Sequence, residues 1–375
     1  MAEAPPATAS AAPPSLKDRF LSLDFFRGLT MFLLIGESTR LYERLRDPGL
    51  AGTVLHAVGT QLEHHPWAGL RFWDLVQPFF MFIVGVALAF SVAKREARGE
   101  SRSRITRHAV VRALVLLFLG WALYCIEPGR ITFRFQNVLA QLGVTYPIAY
   151  FLMRRRPRAQ IAWSFAFIAL TEVIYRVFWV PGYNQPFVPD HNFGSWVDML
   201  VSGELSAGHW VSFNAIPTAA HTIWGVLAGQ WLMSGRPPRR KTAVLAGLGA
   251  AGVAAGFALT AVSPMIKRIC TSSFILAGGG FCLLALAFSY WLIDVRRISR
   301  WAAFLNIVGM NSLFIYLFTE SGGTAWILRL VQPFTMAFAG WTGALAAEIL
   351  TSLAAWAVLW SMCYWLYRRK ILIKI

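Results

Sequence analysis

The densest set of chemically capable side chains lies in QLEHHPWAGLRFWDLVQPFFMFIVG, residues 61–85. Glu63, His64, His65 and Trp67 stand just before an apolar run, and Asp74 and Gln77 fall in its first turns. A neutral imidazole, with an unperturbed pKa of about 6.5, can take the proton from an attacking amine or hydroxyl. Adjacent histidines in a loop are also what a solvated surface carries, so spacing alone leaves both readings open. Neighbouring side chains seldom share one metal, and no third ligand stands out, so no metal site is expected.

Further polar groups interrupt the other apolar runs. Asp24 and Arg27 are three apart, on one face of a helix, and Glu37 lies about 15 Å further along it. Gln136, Asn137 and Gln141 open one run, and Asn214, Thr218 and His221 open another. Asn306, Asn311, Ser312, Tyr316 and Glu320 mark a third. Hydrogen bonding between helices accounts for such groups in a membrane bundle, but ionisable residues there also mark functional interiors. No GxSxG, P-loop or GxGxxG accompanies them, which weighs against a serine hydrolase, an NTPase or a dinucleotide enzyme.

The elements that hold these residues follow from composition. The 375 residues are 57% hydrophobic and only 14% charged, with mean hydropathy +0.52. Soluble domains carry about 25% charged residues, so lipid has to cover much of this surface. Applying the rule of about 20 apolar residues per crossing predicts an all-α, polytopic transmembrane bundle of about ten helices. The spans fall near 22–41, 72–93, 108–125, 136–153, 159–179, 211–233, 242–262, 272–293, 301–319 and 342–366. Residues 320–341 read as a short interfacial or re-entrant segment. Residues 1–19, rich in Ala, Pro and Ser, read as a disordered cytoplasmic tail, and 20–375 as one transmembrane domain.

Charge sets the orientation. The segments assigned to the inside hold 23 of the 35 lysines and arginines. The outer segments and nearby helix ends hold ten: Arg40, Arg44, Arg46, Arg71, Arg130, Arg134, Arg176, Lys267, Arg268 and Arg329. That bias places both termini in the cytoplasm. The net charge of +17 is spread over short loop clusters rather than one face, which argues against nucleic-acid binding. Cys125, Cys270, Cys282 and Cys363 show neither a CxxC spacing nor a disulfide framework.

Several segments together resemble a known family. LDFFRGLTMFLL is followed by H-x-x-W-x-G-x-x-x-x-D-L-V-x-P-F-F-x-F-I-V-G. VLAQLGVTY (138–146), IPTAAHTIWGVLAG (216–229), LIDV (292–295) and VGMNSLFIYLFTE (308–320) come in the same order. This ordered set is similar to the heparan-α-glucosaminide N-acetyltransferase family and its bacterial NagX-type relatives, and it covers most of residues 20–320. The combination of ESTRLYE with GLRFWDLVQPFFMFIVGVA is closer still to a bacterial branch labelled only as a domain of unknown function.

The resemblance implies a membrane acyltransferase that takes an acetyl group from cytoplasmic acetyl-CoA, or another acyl-CoA, to an extracytoplasmic amino sugar or glycan. The family's catalytic histidine opens its H-x-x-W-x-G motif, which places it at His64. Glu63, Asp74 and Glu320 are candidates to hold the ring's tautomer, Asp74 being favoured by its motif position. Asn311 is a candidate donor to the developing oxyanion. Arg27, Arg112 and Gln141 are candidates for the cofactor, whose phosphates need cations at the cytoplasmic mouth. Glu37, Glu63, His65, Trp67 and Glu320 are candidates for the acceptor. Gln141 departs from the family, which commonly has arginine in this L-x-x-L-G stretch. The branch implies a bacterial inner membrane, with homo-oligomerisation left open. A small-solute (sugar) transporter is the alternative use of the same polar interior.

Overall fold

Each long apolar run forms a helix in the computed structural model, which describes residues 20–373. The expected tail, residues 1–19, lies outside the described residues. In chain order α1 (Leu21–Ser38) is followed by the short α2 (Leu41–Arg44) and α3 (Val54–Gln61). Then come α4 (Val76–Ala97), α5 (Arg102–Ile126), α6 (Val138–Leu152), α7 (Pro157–Val177) and the short α8 (Phe193–Ser202). The rest comprises α9 (Ala215–Met233), α10 (Pro238–Leu259), α11 (Ser272–Ser289), α12 (Ala302–Met310), α13 (Ser312–Glu320), α14 (Gly323–Ala339) and α15 (Ala344–Arg368). Among the described residues there is no strand, so the expected all-helical class holds.

Local signals set the boundaries. Ser101 accepts from the Arg104 amide at the start of α5, and Asn137 accepts from that of Ala140 at the start of α6. Each satisfies a main-chain donor that the first turn leaves open. Pro157 and Pro238 open α7 and α10, where a missing N–H costs nothing.

The expected number of spans is corrected. Among the described residues five helical segments are long and apolar enough to cross a membrane: Phe72–Ala97, Arg102–Ile126, Pro238–Leu259, Ser272–Val295 and Ala344–Arg368. The pair α12 and α13, bent by 69° at Asn311, makes a sixth if counted as one. Of the other predicted spans, α6 is only 15 residues long. α1, with Asp24, Arg27 and Glu37, α7, with Gln160, Glu172 and Arg176, and α9, with Thr218, His221 and Gln230, are diluted by polar residues. Thr218 and His221 are fully buried, so neighbouring helices rather than lipid receive them. Residues 320–341, expected as a short segment, hold the 17-residue α14.

Close helix contacts are made where side chains vanish. α4 packs on α9 through Gly85 and Gly225: a Cβ on the first would sit 2.0 Å from the Thr222 carbonyl oxygen, and on the second 2.1 Å from that of Phe82. Small residues permit such approach inside a membrane bundle. α1 ends and α4 begins at one end of the bundle, joined there by a 2.6 Å bond from Trp73 Nε1 to Glu37 Oε1. At the opposite end Arg27, Ser91, Arg112 and Ile373 line one cavity. The start of α1 and the last described residues therefore share an end of the bundle.

Candidate functional site

The turn of chain before α4 wraps around one carboxylate. Asp74 is only 1% exposed, and its Oδ2 accepts from the main-chain amides of Arg71 (2.9 Å) and His65 (3.2 Å). The other oxygen, Oδ1, is thereby turned toward the His64 ring, 3.1 Å from Nδ1. Glu63 pins the same turn through Arg46 (2.8 Å) and Arg71 (3.0 Å), and Arg71 also donates to the His64 carbonyl. Gly69 is required by space: a Cβ there would lie 2.3 Å from His65 Nε2.

A second loop, between α10 and α11, docks onto this turn. Ala68 and Ile266 form an isolated antiparallel bridge, and Gly69 N donates to the Met265 carbonyl at 2.8 Å. Arg268 donates to the Pro66 carbonyl at 2.6 Å. The pairing delivers Lys267, whose Nζ lies 3.0 Å from His64 Nδ1 and 4.0 Å from Asp74 Oδ1. Trp210 covers the group: its ring lies 5.2 Å from the His64 ring, with Lys267 at 5.2 Å and Arg268 at 5.4 Å.

These surroundings act on both titrating groups. Burial, reinforced by the Lys267 charge and opposed by Asp74, pushes the His64 imidazole down to about 4, so at neutral pH the ring is uncharged. Burial also pulls the Lys267 ammonium down to about 8, against the attraction of Asp74 and Glu37. The lysine was read from the sequence only as one basic residue of an outer segment. The one signal available was that Lys267 and Arg268 sit together on the side that the charge bias disfavours.

The remaining candidates divide. His65 has its ring against Gly69, and its Nδ1 is buried without a partner. Trp67 donates to the Phe187 carbonyl at 2.7 Å and meets the His209 ring edge-on, so it ties the loop 180–210 to the site. Glu37 reaches the cluster through Trp73, whose ring is 6.4 Å from that of His64. Glu320, exposed at the end of α13, makes no hydrogen bond to His64. Gln141 belongs to a buried network: it donates to Asn214 Oδ1 (2.8 Å) and the Gln136 carbonyl (2.9 Å) and accepts from Gln77 (2.6 Å). Asn214 in turn donates to the Arg268 carbonyl at 3.3 Å, so this network supports the lysine loop. Asn311 is not brought to His64; its amide clasps the Ile371 carbonyl (3.1 Å) and the Ile373 amide (3.0 Å).

Arg27 and Arg112 line a cavity of about 270 Å³ at the other end, with Phe80, Val84, Leu142, Tyr316 and Ile373 in its wall. Arg27 pairs with Asp24 at 3.6 Å. The Arg112 guanidinium lies over Tyr146 at 5.2 Å, and its Nε is buried without a partner. Along the helical segment Phe72–Ala97 the wall residue Phe80 is about 9 Å from Asp74. Met31 and Tyr316, also in the wall, belong to the same buried cluster as Trp73 and Met81. Through Trp73, whose ring is 6.4 Å from that of His64, this cluster reaches from the cavity wall to the histidine. Among the described residues no group of three His, Cys, Asp or Glu side chains could hold a metal ion.

Fold and site together define a helical membrane protein with a histidine–carboxylate pair at one end and an arginine-lined cavity at the other. A family model described as "Heparan-alpha-glucosaminide N-acetyltransferase, catalytic" matches residues 19–255, well over half of the chain, and the chain belongs to that family. It is 30% identical over 146 residues to the human heparan-alpha-glucosaminide N-acetyltransferase, a match covering 36% of this chain and 19% of that protein. To the mouse protein of the same name it is 29% identical over 141 residues, covering 35% and 19%. The chain thus spans about a fifth of the length of these curated relatives. His64 and Asp74 lie inside the matched segment and Lys267 beyond it.

Proposed function

We propose that the chain transfers an acetyl or similar acyl group from acyl-CoA at the cytoplasmic face to an amino sugar or glycan on the other side of a bacterial inner membrane. The observation that carries this reading is the His64–Asp74 pair, 3.1 Å apart, across the bundle from the arginine-lined cavity. His64 Nε2 is the general base. It takes the proton of the acceptor amine or hydroxyl as the nucleophile attacks the thioester carbonyl, and Asp74 on Nδ1–H holds that tautomer. The C–S bond then breaks, the imidazolium returns its proton to the departing thiolate, and free coenzyme A leaves.

Support for the donor comes from the cavity. At about 270 Å³ it is just below the usual size of ligand pockets, and it suits a narrow thioester arm rather than a nucleotide. The phosphates would meet Arg27 and Arg112 at its mouth, where the unpartnered Arg112 Nε offers a donor. The arm reaches His64 only if the layer of Trp73, Met81 and Tyr316 rearranges.

Inside-out membrane vesicles test the reading. With labelled acetyl-CoA outside and an amino-sugar mixture sealed inside, the expected result is labelled acetyl sugar in the lumen, abolished by His64→Ala. Uptake of free sugar that ignores both acetyl-CoA and that substitution would replace it with a transporter.

A further inference from the structure

His64 Nδ1 has two suitors. Asp74 Oδ1 at 3.1 Å can only accept a proton from it, whereas a Lys267 ammonium at 3.0 Å can only donate one to it. One ring nitrogen cannot do both. An ammonium on Nδ1 leaves the neutral ring with its proton on Nε2, the tautomer that cannot act as a base there. A hydrogen on Nδ1, bonded to Asp74, leaves the lone pair on Nε2.

We propose that Lys267 is a positioning residue that gates the base, its ammonium holding His64 as the Nε2–H tautomer until the lysine gives up its proton. The opening step balances. The ammonium passes a proton to Nδ1, Nε2 releases its own to water, and a neutral amine and an Nδ1–H imidazole remain, with one proton lost overall. This inference rests on the acyl-transfer reading for what Nε2 is used for, while the tautomer shift belongs to the resting protein.

The surroundings fit a gate. Lys267 is 6% exposed, and water cannot compete freely for its charge. The groups that face it are Asp74 and His64 from the turn before α4, Glu37 from α1, and Arg268 and Cys270 from its own loop. The Cys270 thiol is pushed up to about 12 by burial and so is neutral in the working range. Lys267 itself is drawn down to about 8, which puts the opening within reach of ordinary pH. Removing its charge also lets the His64 imidazole rise, since that charge helps hold it down.

Carbethoxylation by diethyl pyrocarbonate, which attacks the unprotonated ring nitrogen, reads the gate without any acceptor. Tandem mass spectrometry of the full-length protein in detergent separates His64 from its neighbour His65. Wild-type His64 is expected to become reactive with a midpoint near pH 8. In Lys267→Met the midpoint falls by more than one unit, and at pH 7 the ring reacts roughly tenfold faster. Lys267→Gln, which carries no charge, moves it the same way. In Lys267→Arg, whose cation never deprotonates, the ring stays unreactive up to pH 9.

Where transfer is measurable, the ascending limb of kcat/KM against pH shifts in the same directions. A wild-type midpoint below 6.5, or the same midpoint in wild type, Met and Arg variants, overturns the gate. The wild-type measurement alone decides if a variant does not fold. Failure of vesicle acetylation by wild type would instead remove the proposed reaction and leave the carbethoxylation result standing.

Discussion

The two ends of the bundle handle charge in opposite ways. At the histidine end the carboxylates are tightly held: Asp74 has two amides, a ring and a lysine, and Glu63 has two arginines, although Arg46 and Arg268 each keep a buried Nε without a partner. At the cavity end Arg112 keeps a buried Nε with no partner, in a wall that is otherwise mostly apolar. The first arrangement fixes geometry, which proton transfer demands. The second leaves binding capacity unspent, as a site that waits for an anion does. The contrast predicts that damage at one end appears in turnover and at the other in affinity.

The largest effect falls at the tightly paired end. Asp74→Asn removes the negative charge that stabilises the imidazolium and turns one of the two acceptor oxygens into a donor, and kcat is expected to drop by about 10²–10⁴, with KM for acyl-CoA little changed. A comparable rise in KM would break the division between the ends. Arg112→Ala should do the reverse, raising KM for acyl-CoA about tenfold with kcat near wild type, since bonds to charged groups contribute about 1.5–3 kcal/mol. Isotope-labelled acetyl-CoA titrations in vesicles measure both.

Gln141→Leu probes the support between them. It strips partners from Gln77 and Asn214 and should lower stability by about 1–3 kcal/mol, seen as an earlier thermal transition in detergent. Because Asn214 carries the Arg268 carbonyl, the His64 carbethoxylation midpoint should also broaden. An unchanged melt would show the network to be dispensable. Glu63→Gln is the mildest change. Its pairs are partly exposed, so a loss of about 0.2–1 kcal/mol each is expected, with catalysis nearly intact.

Much of this was legible in the residues, and the exceptions have physical causes. All ten predicted segments coincide with helices because long apolar runs have few alternatives in lipid. Their number as free-standing spans was overcounted because α6 is short and α1, α7 and α9 carry polar side chains that serve their neighbours, as Glu172 of α7 serves Ser263 and Ser272. His64 and Asp74 could be paired beforehand because ten residues of one motif carry both. Asn311 was matched to an oxyanion from its motif alone, whereas its amide fastens the segment at 371–373. Lys267 was invisible as a partner because 203 residues separate it from His64, and only the docking of two loops brings them together.

The Ala68–Ile266 bridge also sets an order of events at the ribosome. Synthesis at about 5–20 residues per second means that a nascent chain carries its imidazole for roughly 10–40 s before the lysine is made. Throughout that interval the ring has Asp74 but no cation. Under the proposed gate, a half-inserted chain holds an open base at the membrane surface, and maturation silences it.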